Sequence, residues 1–406
     1  MESIENKAFY ECTSLTSITI PGTIVSIQDK TFEGCDALES LYYEGDIAGW
    51  CEFKGLEYLN KDKVYIGEQK LTEMTSIVIP EGVTRIGNSA FYNCTSLTSI
   101  TIPASVTNIE IFAFMYCPIE NATLPSTAIT HIKNSNLKTV VIIGEAAIGS
   151  NAFSDCASLT NVTISDGING IGNSAFSNCT SLTSIDIPNS VVSIGDSAFE
   201  GCSNLSTITF EQGSSLNSIG QYAFLNCTSL KTITIPDSVT SKGIGVFNGC
   251  FIEEATIPSI LAGSIGNENL KAVVITSGEE ISSGALRDCP SLTSVRIAAS
   301  VVWIKQSAFS GCSNLETIIF DKDSQLSGFF NGAFLNCDSI TTVYFGGTKE
   351  EWNKISKTNA EILLSATCYY YSESNPFEGE GAVTEDNFWH YTEDGKTPEI
   401  WSKETV

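Results

Sequence analysis

Apolar positions recur along the chain in a unit that is usually 23 residues long, clearest between Cys179 and Cys202. That unit reads Leu182, Ile185, Ile187, Pro188, Val191, Ile194, Gly195, Ala198, Phe199, with Thr, Ser, Asn and Asp in most of the gaps. Leu182, Ile185 and Ile187 end on alternating positions, the period of a strand with one face buried and one in water. Pro188 stops the strand because it has no N–H to add to a ladder. The second set, Val191 to Phe199, returns along the opposite wall, and Gly195 is expected to take a φ closed to other residues. One unit therefore predicts one coil. A single coil cannot bury its own Leu, Ile and Phe, but coils stacked about 4.8 Å apart can, with their strands in parallel ladders.

The strand start recurs fifteen times, from Leu15 to Ile340. Twice the spacing between unit cysteines stretches to 39, from Cys117 to Cys156 and from Cys250 to Cys289. Both stretches hold an extra short rung without the Ala-Phe pair, and Asn136-Leu137-Lys138 in one matches Asn269-Leu270-Lys271 in the other. A multi-rung block is thus duplicated. A second pair of similar segments ends at Trp50 and at Trp352. After Trp50 an insertion near 44–73 is expected, with Asn60-Lys61-Asp62 as a turn between two short strands. After Trp352 the repeat stops, and Tyr369-Tyr370-Tyr371, Phe388-Trp389-His390-Tyr391 and Trp401 follow, with a hairpin signal at Asp394-Gly395. The expected organisation is a repeat solenoid over 1–345 and a C-terminal aromatic cap over 346–406 that covers the last open edge. Met1 to Ile4 lead straight into the second half of a unit, so any leader is expected to have been cut away with the start of that unit.

Composition narrows the function classes. Hydrophobic residues make up 42% and charged residues 17%, so the surface is largely Ser, Thr, Asn and Gly. A formal net charge of −26 repels phosphate backbones and anionic lipid, which argues against nucleic-acid partners. No apolar run approaches the roughly 18 residues a membrane span needs, so no membrane insertion is expected. Twelve of the fourteen cysteines occupy the single repeat position after Ala-Phe. Side chains stacked in parallel at strand spacing suit buried thiols better than the crossed geometry of a disulfide; Cys51 and Cys368 lie outside the ladder. With two histidines in the chain and no close Cys cluster, no metal ligand set is assigned. Nucleotide-binding glycine loops, metalloprotease and serine-elbow motifs are absent, so no catalytic or cofactor-binding residue is assigned and the chain reads as non-enzymatic. Asp321-Lys322-Asp323 reads as a turn, since the downstream Gly and Glu of a calcium loop are missing.

The unit Cys-x-x-Leu-x-x-Ile-x-Ile-Pro with Ile-Gly-x-x-Ala-Phe resembles the BspA-type leucine-rich repeat, over roughly residues 4–345. That resemblance implies a β-rich, right-handed coil, a bacterial secreted or cell-surface location, and an adhesin-like role in binding host or neighbouring-cell proteins.

Candidate recognition residues sit on the outward strand face. Ser and Thr dominate its third and fifth positions, which is what β-propensity and solubility alone would favour. Tyr42, Asp186, Arg296 and Tyr344 interrupt that run with groups that recognise partners. The leading expectation is a protein partner met through this face or the cap. The alternative is a glycan bound by Trp50, Trp352, Trp389 and Trp401, against the simpler reading that these rings pack the ends of the stack. An ice-binding Ser/Thr array is a third reading, weakened by the Tyr, Asp, Arg and Glu that break the ladder.

Overall fold

The computed structural model describes residues 2–132, 134–358, 360–378 and 386–402, in two compact units, Met1–Leu205 and Ser206–Val406. Both are built of coils that each open with a short strand. All fifteen expected rungs form one, eight in the first unit (Ser17–Ile20 through Ser184–Ile187) and seven in the second (Thr207–Phe210 through Thr342–Phe345). Alternation sets the strand faces: in Ser184–Ile187, Ile185 and Ile187 are buried while Ser184 and Asp186 face water.

In the first unit five strands, Ser76–Val78, Ser99–Thr101, Asn121–Pro125, Thr139–Ile143 and Asn161–Ile164, pair in parallel and in register. Identical repeat positions therefore stand over one another. In the second unit a nine-stranded sheet runs from Thr232–Thr234 to Pro398–Ile400, parallel except for its last pair. Residues beyond 346 continue this sheet: Thr367–Tyr371 pairs with Thr342–Phe345, and Phe388–Tyr391 with Thr367–Tyr371.

The return wall carries the Ala-Phe turn and the cysteine. Register stacks the phenylalanines, with ring centroids 5.2 Å apart for Phe153 and Phe176 and 5.3 Å for Phe176 and Phe199. Each buried ring contributes roughly 1.5–3 kcal/mol. The cysteine thiol reaches back one coil, Cys202 Sγ donating to Phe176 O at 3.1 Å and Cys312 Sγ to Leu286 O at 3.0 Å. A buried carbonyl left alone costs about 1–3 kcal/mol, so a small residue with a weak donor suits the position.

Each turn bends through two left-handed residues. In all twelve Ala-Phe turns the residue before the Ala position and the residue before the cysteine have positive φ, as at Ser174 (53°) and Asn178 (59°). Gly195 is not one of them. Instead a Cβ there would lie 2.7 Å from Gly172 C and Asn173 N of the preceding coil. The glycine after the return-wall isoleucine thus permits close approach of two backbones, a correction to the expected special φ.

In each copy of the duplicated block, the short coil replaces the Ala-Phe turn with one helical turn. In the first unit this is Ile129–Ile132 and in the second Ala262–Ile265, with Ile132 and Ile265 buried. The insertion differs from expectation. Asn60-Lys61-Asp62 is not a turn between two strands: Asn60 Oδ1 accepts from Asp62 N–H at 3.0 Å and caps the one-turn helix Lys61–Lys63. The hairpin comes just after it, Val64–Ile66 against Gln69–Lys70, turned by Gly67 at φ 63°. Val64–Ile66 also pairs in parallel with Ser40–Tyr43, so the insertion supplies a rung that lacks the repeat motif. The Asp394-Gly395 hairpin forms as expected, joining Phe388–Tyr391 to Pro398–Ile400.

Candidate functional site

In-register pairing turns the outward fifth positions of the strands into columns. In the first unit Thr19, Tyr42 and Tyr65 align, as do Val78, Thr101, Thr123, Val141 and Thr163. In the second unit one column runs Thr234, Thr256, Val274, Arg296, Ile319, Tyr344, Tyr369.

Tyr42 is exposed and packs on Tyr65, ring centroids 5.0 Å apart. Asp186 is exposed on its strand in the same unit. Arg296 and Tyr344 are drawn into one network by the C-terminal hairpin. Arg296 Nε donates to Asp321 Oδ1 at 2.6 Å and its Nη1 to Lys396 O at 2.7 Å, while its guanidinium lies 5.0 Å from the Tyr391 ring. Tyr391 Oη donates to the same Asp321 oxygen at 2.8 Å; burial, then this hydrogen bond, hold its phenol well above the usual range, so it stays a donor. Tyr344 stacks on Tyr369 at 5.3 Å and meets Trp389 edge-on at 5.5 Å. Half-buried, Arg296 by its hydrogen bonds and Tyr344 by its ring contact with Trp389 fasten the hairpin to the sheet; a partner would have to displace that hairpin to reach them fully. From sequence Asp321 reads only as part of a turn and Tyr369 and Tyr391 only as cap residues, although Tyr369 and Tyr371 stand two apart, the spacing that puts both on one strand face.

The tryptophans of the glycan alternative are mostly internal. Trp50 is 1% exposed and Trp389 0%, their indole N–H groups donating to Ala90 O at 2.9 Å and Phe345 O at 3.0 Å. Trp352 is buried against Phe345 and Phe320. These three rings have no face left for a sugar, which removes the main support for the glycan alternative. Trp401 is partly exposed, stacked on His390 at 3.8 Å, with its N–H on Ser372 O.

The open part of the face lies toward the start of the second unit. Strands Thr207–Phe210 and Thr232–Thr234 are consecutive rungs but form no ladder with each other. Between them is a hollow of about 500 Å³ whose lining includes Thr207, Thr209, Thr232, Thr234, Glu211 and Pro236. It adjoins a shallower one of about 150 Å³ reaching Glu254, Thr256 and Val274. Hydroxyls, two carboxylates and a few apolar atoms can hydrogen-bond and pack against a polypeptide surface. Among the described residues no group of three or more His, Cys, Asp and Glu could hold a metal ion, and no helix is long and apolar enough to cross a membrane.

The model for the BspA type leucine rich repeat region matches six copies, over residues 1–53, 68–141, 146–268 and 265–358. The chain belongs to the BspA-type leucine-rich-repeat family. Such repeat proteins are typically protein-interaction or surface proteins and in general non-enzymatic scaffolds. Among solved structures, this BspA-type chain is similar to a leucine-rich repeat protein from Bacteroides ovatus (24% identity, 91% of this chain and 87% of that one, TM-score 0.39). It is also similar to a leucine rich cell surface protein from Faecalibacterium prausnitzii (25% identity, 88% and 86%, TM-score 0.27). A third is the leucine rich repeat protein of T. pallidum (28% identity, 48% and 83%, TM-score 0.33). A search of curated proteins gives no match.

Proposed function

We propose that this BspA-type chain is a non-enzymatic binding protein of the cell exterior, which meets a protein partner through the outward strand face of its second unit. The observation that carries the reading is the hydroxyl-lined hollow between Thr207–Phe210 and Thr232–Thr234, where two consecutive rungs belong to separate sheets and the surface is concave. Repeat folds commonly bind partners on such extended surfaces, where a few anchors in a desolvated pocket dominate the affinity. Hydroxyls here supply adaptable hydrogen bonds, and the formal charge of −26 favours a partner with basic residues and speeds its encounter at low salt. Tyr42 and Asp186, exposed in the first unit, are further contact candidates of the same reading.

The test is a protein array of bacterial and host extracellular proteins probed with the wild type and with Thr234→Arg, whose exposed side chain would fill the hollow without touching the core. The expected result is one or more protein hits weakened about tenfold or more by the substitution, a loss of about 1.4 kcal/mol. Hits insensitive to Thr234→Arg would move the site elsewhere, and signal confined to a parallel glycan array would replace the reading.

A further inference from the structure

The column of Ala-Phe turns is interrupted at the short coil of the first unit, and we infer that the open end there is a binding groove for a polypeptide segment of another protein. In a regular pair of coils, three N–H groups on alternate residues of one turn donate to three carbonyls of the next. Ser89 donates to Ile111 O at 3.2 Å, Phe91 to Ala113 O at 2.8 Å and Asn93 to Met115 O at 2.9 Å. The following turn offers the same set, Phe112, Phe114 and Tyr116. The coil after it has the helical turn Ile129–Ile132 where its own Ala-Phe turn would be. Among the described residues nothing accepts from these three N–H groups.

A hollow of about 670 Å³ lies between this turn and Thr130, His131, Ile132, Asn134 and Asn136. Its collar is apolar and open, with Ile111 64%, Phe112 53% and Tyr116 60% exposed. In regular pairs of coils the same segment is packed under the next coil, so this is backbone and apolar surface with its usual cover missing.

The occupant follows from what covers equivalent edges. Within the first unit, Asn151, Phe153 and Asp155 N–H groups meet the carbonyls of Asn173, Ala175 and Ser177 at 2.8, 2.7 and 2.8 Å. A segment with three backbone carbonyls on alternate residues would complete the open edge in the same way, main-chain bonds giving affinity and the apolar collar selecting side chains. Charge points the same way. On a chain with formal charge −26, this wall presents N–H dipoles. The one carboxylate lining it, Glu110, is held by Arg85 Nε at 2.8 Å and by Asn88 N–H at 3.0 Å, which leaves an acceptor-seeking surface for a neutral or basic peptide.

The probe is the acetylated, amidated heptapeptide with the sequence of residues 172–178, titrated into the isotopically labelled full chain and followed by amide NMR. The amides of Phe112, Phe114 and Tyr116 are expected to shift, and their solvent exchange to slow about tenfold once the peptide exceeds its Kd by that factor. Ile111→Glu, at a position 64% exposed, is expected to weaken binding about fivefold or more, while Thr234→Arg leaves it unchanged, separating this groove from the strand face. Unperturbed amides up to about 10 mM peptide, shifts centred on another surface, or wild-type binding by Ile111→Glu would each overturn the inference.

Discussion

At the residue scale, positions that look interchangeable in a repeat carry distinct physical duties. Asn, Asp or Gly stands before most of the ladder cysteines because that residue is left-handed, a conformation costing other L-residues about 1–2 kcal/mol. Glu11 and Tyr116 hold the same φ without that advantage. The thiols are packing groups, several of them donating to a carbonyl of the preceding coil, and burial pushes Cys202 up to about 12, away from reactive thiolate. Lys61 is the one charged side chain that is buried among the described residues, 4% exposed, with its ammonium donating to Leu56 O and Leu59 O. Burial lowers its pKa from 10.5 to about 8, so the folded state releases the proton before the unfolded chain does. Stability from this group is accordingly lost as pH falls through 8 and gained as pH rises from 8 to 10.5. We expect urea midpoints of wild type and Lys61→Met to diverge over that window, the wild type gaining relative to the variant. Thiol ionisation above pH 9 pulls both proteins down alike, and parallel pH profiles would show that Lys61 is not desolvated.

At the element scale, each coil is held by its neighbour, so what matters is how closely two backbones approach. Gly195→Ala puts a methyl 2.7 Å from the preceding coil's backbone, which has no flexible end to move aside. The expected cost is about 1–3 kcal/mol, the range of overpacking. Gly82→Ala serves as the contrast: nothing lies within 4 Å, so only its φ of 88° penalises the change. Thermal unfolding of both variants checks this, and an unchanged transition for Gly195→Ala would mean the coils slide freely. Element boundaries were legible where the motif is intact, at every Leu-x-x-Ile-x-Ile strand. The rungs Val64–Ile66 and Thr367–Tyr371 were not, because neither carries the Leu, Pro or Ala-Phe signals. A strand can join a ladder through backbone pairing with a partial side-chain pattern, and register then comes from the neighbour.

At the scale of the whole chain, 47 acidic against 21 basic residues leave a net charge of −26 that opposes compaction through self-repulsion. The ion pairs present are few and largely exposed, such as Lys231 and Lys271 flanking Glu253, and such pairs contribute little. Screening should therefore help more than it harms. Raising NaCl from about 20 mM to 0.3 M, where the Debye length falls well below 10 Å, is expected to raise the melting temperature in calorimetry. A fall would mean that attractive pairs outweigh the net repulsion.

The sequence by itself determined the repeat, the strand faces, the two short coils and the buried character of the thiol ladder. All of these follow from periodic burial, and a period survives in one dimension. It did not determine which irregular residues are available. Arg296 and Tyr344 stand out in the chain, yet Tyr391, Trp389 and Lys396, 45 to 100 positions away, are what engage them. Trp50 and Trp389 read as platforms or as packing until burial chose packing. The open N–H groups of Phe112, Phe114 and Tyr116 were invisible for a simpler reason. A missing cover is a property of the neighbouring coil, and only the stacked structure shows which edge has lost its partner.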